Sequence, residues 1–488
     1  GARHINRKTG SLFAEINLPV SCYFPIVSGL RVSLNAVRSQ LIVHPMKSLI
    51  TFLSLLTLAS AAEKPVNVLL IMADDIGFEC FSSYGSEEYS TPRLDALAAA
   101  GIRFENCHST PLCTPSRVNL MSGKSNVFNY QDFGLYPNGE PTFANHFKES
   151  GYATAAAGKW QLKTEEGGTT PQEAGFDSYC LWNTPMTSRA RYWDPSLESD
   201  GTLLDLPEGA YGPDVCTDFL ADFIESCAKT DTPFLAYYPM ILVHNPFPVA
   251  PNSADMNETD DKKNFIDMVN YMDALVGRLV DTLEANGLRD NTLIIFTGDN
   301  GTNADLVSEF EGQPLRGGKG YTYDHGTHVP LVANWPNHIP AGQINRDLIA
   351  FSDFFPTMVE ATRLPPKKIT DSDGTSFWPQ CVGEAGSPRE WIYGYYFPRP
   401  YAEDYDDKYR HWEVRYARDH RFKLYDSGDL YDTQLDVLET ARLNPHHLDH
   451  EAQAARKKLQ AVLDAHPQQG AMVDYSRVNG VHPSKTKI

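Results

Sequence analysis

Cysteine is scarce: eight in 488 residues, too few for a fold held by disulfides. Positive charge is scarce too, with 42 Lys and Arg against 62 Asp and Glu and a formal net charge of −20. That balance excludes nucleic-acid binding through overall electrostatics. It also repels a polyanionic substrate at long range unless salt screens the field. Any anion site must therefore be built locally, from a metal ion and a few cations. Long apolar runs are missing as well. The run at 49–58 falls well short of the about 20 residues that a bilayer span takes, so no membrane span is expected. No internal repeat is present.

That apolar run has another meaning. Lys47 precedes it and Ala59-Ser60-Ala61-Ala62 follows it. A positive start, a short apolar centre and small residues at the end describe a signal peptide over 46–62. Residues 1–45, with scattered arginines and Cys22, read as an upstream or non-native extension. The mature chain is then expected to start near Glu63 and to be exported, periplasmic or secreted. Its balance is 36 basic against 61 acidic residues, and its cysteines number seven.

The chain is organised around residues 111–123, whose centre is Cys113-Thr114-Pro115-Ser116-Arg117. Pro115 suits the first turn of a helix, and Val118, Leu120 and Met121 continue it as a buried one. Cys113 is expected just before that helix, among free N–H groups that favour negative charge. Arg117, one turn in, adds a fixed positive fork. Chemistry alone leaves Cys113 open as a thiolate nucleophile, half of a disulfide or a modified residue.

Cys-Thr-Pro-Ser-Arg followed by Leu-Met-Ser-Gly resembles the signature of the sulfatase family, and further family segments recur in order from about Val66 to about Leu443. The resemblance implies that Cys113 is oxidised by a formylglycine-generating enzyme to formylglycine, an aldehyde that is hydrated in the active site. Ser122-Gly123-Lys124 stands where sulfatases usually have Thr-Gly-Arg. With Cys113 committed to aldehyde chemistry, six cysteines remain, an even number open to pairing.

Residues 66–72 form an apolar run fit for a strand buried on both faces, and it ends in Asp74-Asp75. Adjacent buried carboxylates are costly unless something cationic sits between them. Residues 293–296 repeat the pattern and end in Asp299-Asn300. In open α/β sheets ligands gather at the carboxyl ends of strands, so two such ends can converge. Both segments match sulfatase metal motifs, which implies Asp74, Asp75, Asp299 and Asn300, with the modified Cys113, around one divalent cation. The resemblance implies Ca²⁺; oxygen ligands also admit Mg²⁺.

Between these segments helix and strand patterns alternate. Thr91 is expected to cap a helix that has Pro92 at its first position and ends at Gly101. A strand over 151–157 leads into Gly158-Lys159-Trp160-Gln161-Leu162, similar to the sulfatase Gly-Lys-Trp-His-Leu segment. By that resemblance Lys159 holds the sulfate. Gln161 replaces the usual histidine, and an amide is no base near neutral pH. A strand over 234–238 leads to His244. Alone, His244 is equally a satisfied buried imidazole; the resemblance implies a general acid or sulfate ligand. Residues 263–287 show helical spacing of Phe265, Met268, Met272, Leu275, Leu279 and Leu283. This helix is assigned no chemistry. In the Gly-rich stretch 315–323, the resemblance implies that Lys319 contacts sulfate and leaving group. His325 follows, expected as a surface histidine, with reach into the cleft as the alternative.

Residues 365–374 have linker composition. Beyond them, strands are expected at 391–396, 412–417 and 422–425 and a helix at 451–465, with a polar tail over 467–488. Aromatics from Tyr393 to Tyr416 are expected in the core, except those among Glu403, Asp404, Asp406 and Asp407, which are placed outside as stacking surfaces for sugars. The resemblance implies an alkaline phosphatase-like α/β/α sandwich with a large, mostly parallel sheet over 63–364. A smaller α+β domain, an antiparallel sheet with a packing helix, spans 365–466. The implied activity is hydrolysis of a sulfate monoester, on a small molecule or more specifically a carbohydrate. Two alternatives remain: a phosphodiester or phosphonate monoester hydrolase of the same superfamily, and a non-catalytic binder of sulfated glycans.

Overall fold

Three apolar segments bury every residue they contain: β1 (Asn67–Ala73), β7 (Phe234–Pro239) and β8 (Thr292–Gly298). In the computed structural model, which describes residues 64–164, 167–366, 372–401 and 413–478, they lie side by side and parallel. Around them a ten-stranded sheet adds β2 (Ile102–His108), β3 (Ala153–Lys159), β4 (Ser178–Trp182), β5 (Glu198–Ser199), β6 (Thr202–Leu203), β11 (His328–Asn334) and β12 (Gln343–Ala350). The order is β12-β2-β11-β8-β1-β7-β3-β4-β5-β6, and only β11 and β5 run against the rest. The carboxyl ends of β8, β1, β7 and β3 therefore open at one edge of the sheet.

Each face of the sheet carries a helical layer, as strands apolar on both faces require. Leu69 and Ile71 of β1 pack with α1 (Pro92–Ala99), α4 (Gly212–Thr230) and α5 (Asp261–Ala285). Val68, Leu70 and Met72 point the other way, to α2 (Cys113–Ser122), α3 (Phe143–Glu149) and α6 (Phe354–Ala361). Removing one such side chain to Ala costs about 2–5 kcal/mol. In α5 the apolar residues from Phe265 to Leu283 form the expected buried stripe, and Asp260 caps its start through the N–H groups of Lys262 and Lys263.

Several expectations change here. Thr91 sits at the cap position of α1 but does not cap it; its hydroxyl contacts Asp95 and the Ser82 N–H. The free N–H groups of Arg93 and Leu94 are bonded instead by Asp273 of α5, at 3.0 and 2.8 Å. A tertiary partner has replaced the local one. Cys113 is the first residue of α2 rather than the residue before it, because Leu112 holds the extended cap position. All seven cysteines among the described residues are buried and free, so the pairing allowed by their number is not realised.

A second sheet is antiparallel: β13 (Ile392–Tyr396), β14 (Val414–Arg418), β15 (Phe422–Tyr425) and β16 (Leu430–Asp432). The packing helix is α7 (His450–Ala465), whose Ala452, Leu459 and Leu463 close a core with Tyr395, Phe422 and Leu424. Tyr396, Tyr416 and Tyr425 on its other face pack against Leu112 at the start of α2. A hairpin of β9 (Val307–Phe310) and β10 (Gln313–Arg316) completes the strands. Among the described residues no helix is long and apolar enough to cross a membrane. Residues 1–62, the acidic aromatic stretch at 402–412 and the end of the polar tail lie outside the described residues.

Candidate active site

The site is assembled where the parallel strands end. Asp74 and Asp75 follow β1, and Asp299 and Asn300 follow β8 directly beside it; all four are fully buried. Backbone bonds lock the two ends together: the Asp299 N–H donates to Ala73 O, and the Asp75 N–H to Asp299 Oδ1 at 3.0 Å. Lys159 is the last residue of β3. Gly158 has φ 122°, and a Cβ there would lie 1.9 Å from Pro239 O. Glycine thus lets the end of β3 pass against β7 and aim Lys159 inward.

Each carboxylate has its own cation. Lys159 Nζ donates to both oxygens of Asp74, Lys319 Nζ to Asp75, and Arg117 Nη2 to Asp299 at 2.9 Å. Arg117 Nη1 also donates to Lys159 O, so one guanidinium ties α2 to β3 and β8. Burial opposes ionisation of Asp74, but Lys159, His244, Arg117 and Lys319 outweigh it and hold its carboxyl low. Asp75 is likewise held low against burial, by His244 and Lys319. At Asp299 burial and the charge of Asp74 prevail over Arg117, and its pKa is pushed up to about 7.

Cys113 stands among these groups. Ligand atoms of Asp74, Cys113 and Asp299 lie within 4.8 Å of one another, as do those of Asp74, Asp75 and His244. Burial raises the thiol pKa, only partly offset by Lys159, so an unmodified Cys113 is a weak nucleophile. Its position is fixed from several sides. Ser116 Oγ bonds Thr110 Oγ1 at 2.7 Å, Asn126 Nδ2 donates to Pro115 O, and the Gly134 N–H donates to Thr114 Oγ1.

A divalent cation fits this donor set. Asn300 Nδ2 donates to Asp75 Oδ1, which leaves Asn300 Oδ1 a buried acceptor without a hydrogen-bond partner. Burial and the neighbouring Asp74 charge hold Asp299 raised despite Arg117, as expected of a carboxylate that has room for a further positive partner. An all-oxygen set of this kind suits a hard ion such as Ca²⁺ or Mg²⁺.

His244 lies on the outer side. Its Nε2 is 3.0 Å from Lys319 Nζ and 3.6 Å from Asp75 Oδ2. Burial, with Lys319 and Lys159, brings its pKa down to about 3, against the pull of Asp75. The neutral ring accepts from Lys319 at Nε2 and donates from Nδ1 to Asn245 O at 2.6 Å. Lys319 is carried on a loop that the second sheet steadies: Tyr396 OH donates to Gly320 O, and Lys423 Nζ to Thr322 O.

Gln161 is buried with φ 57° beside Asn183, to whose carbonyl its N–H donates, and its Oε1 has no hydrogen-bond partner. His325 is not the expected surface residue. It is buried, contacts Arg316 O through Nδ1 and packs edge-on to Phe78 and Tyr323. Two residues that sequence reasoning missed border the site. Tyr192 OH donates to His244 O, and Arg191 Nη2 lies 3.1 Å from His244 Nδ1. The one signal for them was the run Arg191-Tyr192-Trp193 shortly after β4.

Residues 66–364 match the sulfatase family. The chain belongs to the sulfatase family. Residues 318–469 match the C-terminal region of N-sulphoglucosamine sulphohydrolase. Human arylsulfatase A is 31% identical over 378 residues, 70% of this chain and 73% of that protein. Human N-acetylgalactosamine-6-sulfatase is 29% identical over 360 residues, 66% of this chain and 67% of its own length. The crystal structure of Ps i-CgsB in complex with k-i-k-neocarrahexaose shares the fold, with a TM-score of 0.66 at 24% identity, over 82% of this sulfatase and 92% of that chain. The family consists of sulfuric ester hydrolases, and this sulfatase is an enzyme of that class.

Proposed function

We propose that this sulfatase hydrolyses sulfate monoesters on a carbohydrate, releasing inorganic sulfate, with Cys113 converted to formylglycine. The observation that carries the reading is the buried cluster of Asp74, Asp299 and Cys113, whose ligand atoms lie within 4.8 Å of one another. A disulfide partner or a structural thiol has no use for such surroundings. The names of the relatives and the saccharide in a neighbouring structure support a sugar substrate.

When present, the hydrated aldehyde supplies a nucleophilic hydroxyl, and a divalent cation held by Asp74, Asp75, Asp299 and Asn300 supplies acidity and charge. The chain's own groups do the rest. Arg117 holds Asp299 and the Lys159 carbonyl in a rigid frame. Lys159 and Lys319 bring ammonium groups to where sulfuryl oxygens bind, in a buried site where fixed charge acts strongly. A proton shared between Lys319 Nζ and His244 Nε2, 3.0 Å apart, is placed to reach the leaving oxygen. Gln161 contributes an amide that orients without titrating. The signal segment at 46–62 supports export, and maturation requires a formylglycine-generating enzyme as partner.

The test is sulfate release from sulfated mono- and disaccharides, beside matched aryl sulfate and phosphonate monoesters, with Cys113→Ala as control. Release from a saccharide by the parent protein alone is expected. Turnover of the phosphonate ester and of no sulfate would overturn the reading.

A further inference from the structure

The three cations inside the site each pair with a carboxylate, and Arg117 reaches a second one, Asp74, at 3.7 Å. Arg191 is a fourth cation beside them and has no such match. Among the described residues no carboxylate oxygen pairs with its guanidinium, and its Nε is buried without a hydrogen-bond partner. Nη2 faces His244 Nδ1 at 3.1 Å. With Nδ1 donating to Asn245 O, that contact sets two donors against each other, so it satisfies neither. The other side-chain partner of Arg191, the Tyr192 hydroxyl, is uncharged, so the positive charge of this half-buried guanidinium is left unmatched.

The guanidinium is nevertheless firmly mounted. It lies 4.6 Å from the Trp182 ring and 5.5 Å from that of Tyr192. Trp182 Nε1 donates to Ser188 O, Trp193 Nε1 donates to Val249 O, and the Gly212 N–H donates to Tyr192 O, pinning the loop on both sides. Two aromatic faces and a fixed loop hold a planar fork at the mouth of the site, one imidazole away from Lys319. Such a fork matches the oxygens of a sulfate or carboxylate.

We propose that Arg191 anchors a second anion subsite, which receives a further sulfate or carboxylate on the same saccharide. The subsite rests on the sulfate-ester reading of the active site and narrows it to a substrate with two anionic groups. In a chain of net charge −20, such a local site is what allows a doubly charged sugar to be held.

The test is calorimetric titration of the Cys113→Ala protein in excess Ca²⁺, a variant that cannot hydrolyse the saccharides. Three matched disaccharides serve as probes: one sulfate, the same sulfate plus a second, and the same sulfate plus a uronate carboxylate. One or both dianions should bind about tenfold tighter than the monosulfate, as expected of a charged hydrogen-bonded pair. Adding Arg191→Gln should bring that preference close to one, and Arg191→Lys should restore part of it. A residue that merely steadies His244 would weaken all three probes alike and leave the ratio untouched. A preference that survives Arg191→Gln, or no preference in the parent, overturns the subsite. Binding of none of the three, with no sulfate release by the unsubstituted enzyme, removes the sulfate-ester reading along with it.

Discussion

Lys159 Nζ donates to both carboxylate oxygens of Asp74, at 2.9 and 2.7 Å, and neither side chain reaches solvent. The lysine assigned to the sulfate is thus held by a carboxylate assigned to the cation. Two positive groups share one anionic partner, and each can stand in for the other.

That sharing sets the first prediction. Lys159→Met leaves the buried Asp74 carboxylate without its nearest cation, at a cost of about 3 kcal/mol. The loss should appear in full in chelator and shrink when Ca²⁺ is added, because Asp74 freed of Lys159 binds the ion more tightly than in the parent; tenfold tighter binding at saturation recovers about 1.4 kcal/mol. Urea unfolding in the two buffers checks it. Equal losses in both would mean that the cation does not bind at Asp74.

Acid should weaken the fold through His108. Burial, with the nearby Arg418, holds its pKa well below the usual value. The unfolded chain therefore takes up a proton that the fold refuses. Stability from this group is complete above about pH 6.5 and is lost as the pH falls below it. Between pH 7.5 and 5.5 the loss amounts to about 1.4 kcal/mol. His108→Asn keeps an acceptor for Arg418 and removes the titration, so its stability should fall by that much less over the same range. Parallel curves for the two proteins would contradict the assignment.

In the second sheet, Gly394 pairs across the strands with Tyr416, and a Cβ on Gly394 would lie 2.2 Å from the Tyr416 ring. The same ring carries Lys423 Nζ 4.1 Å above it, and Lys423 holds the loop bearing Lys319. Gly394→Ala should therefore cost about 1–3 kcal/mol and also raise KM for the sulfate ester. Unchanged stability would show that the ring has room to move.

What could be read in advance follows from where the information lies. Residues 66–72 and 293–296 announce buried strands through unbroken apolar runs, and their carboxylate ends are legible because charge there needs a reason. The parallel alignment of β1 with β8 then brings Asp75 to Asp299, as the strand-end rule requires. Asp273 capping α1 was not legible, because its two partners are 180 and 179 residues away. The three-residue β16 carries too little pattern to be seen. Arg191 sits in an irregular loop without periodicity, and only the fold sets it against Trp182 and His244. His325 looked exposed because polar neighbours surround it in sequence, whereas Phe78 and Tyr323 cover it in space.

The most direct test of the account is the mass of the peptide spanning residues 104–117, from protein made together with a competent formylglycine-generating enzyme. Conversion at Cys113 removes one sulfur and two hydrogens and adds one oxygen, while Cys107 in the same peptide stays a thiol. That mass, with the change mapped to residue 113, is the predicted result. A peptide with both thiols intact would contradict the assignment of Cys113 as the reacting position.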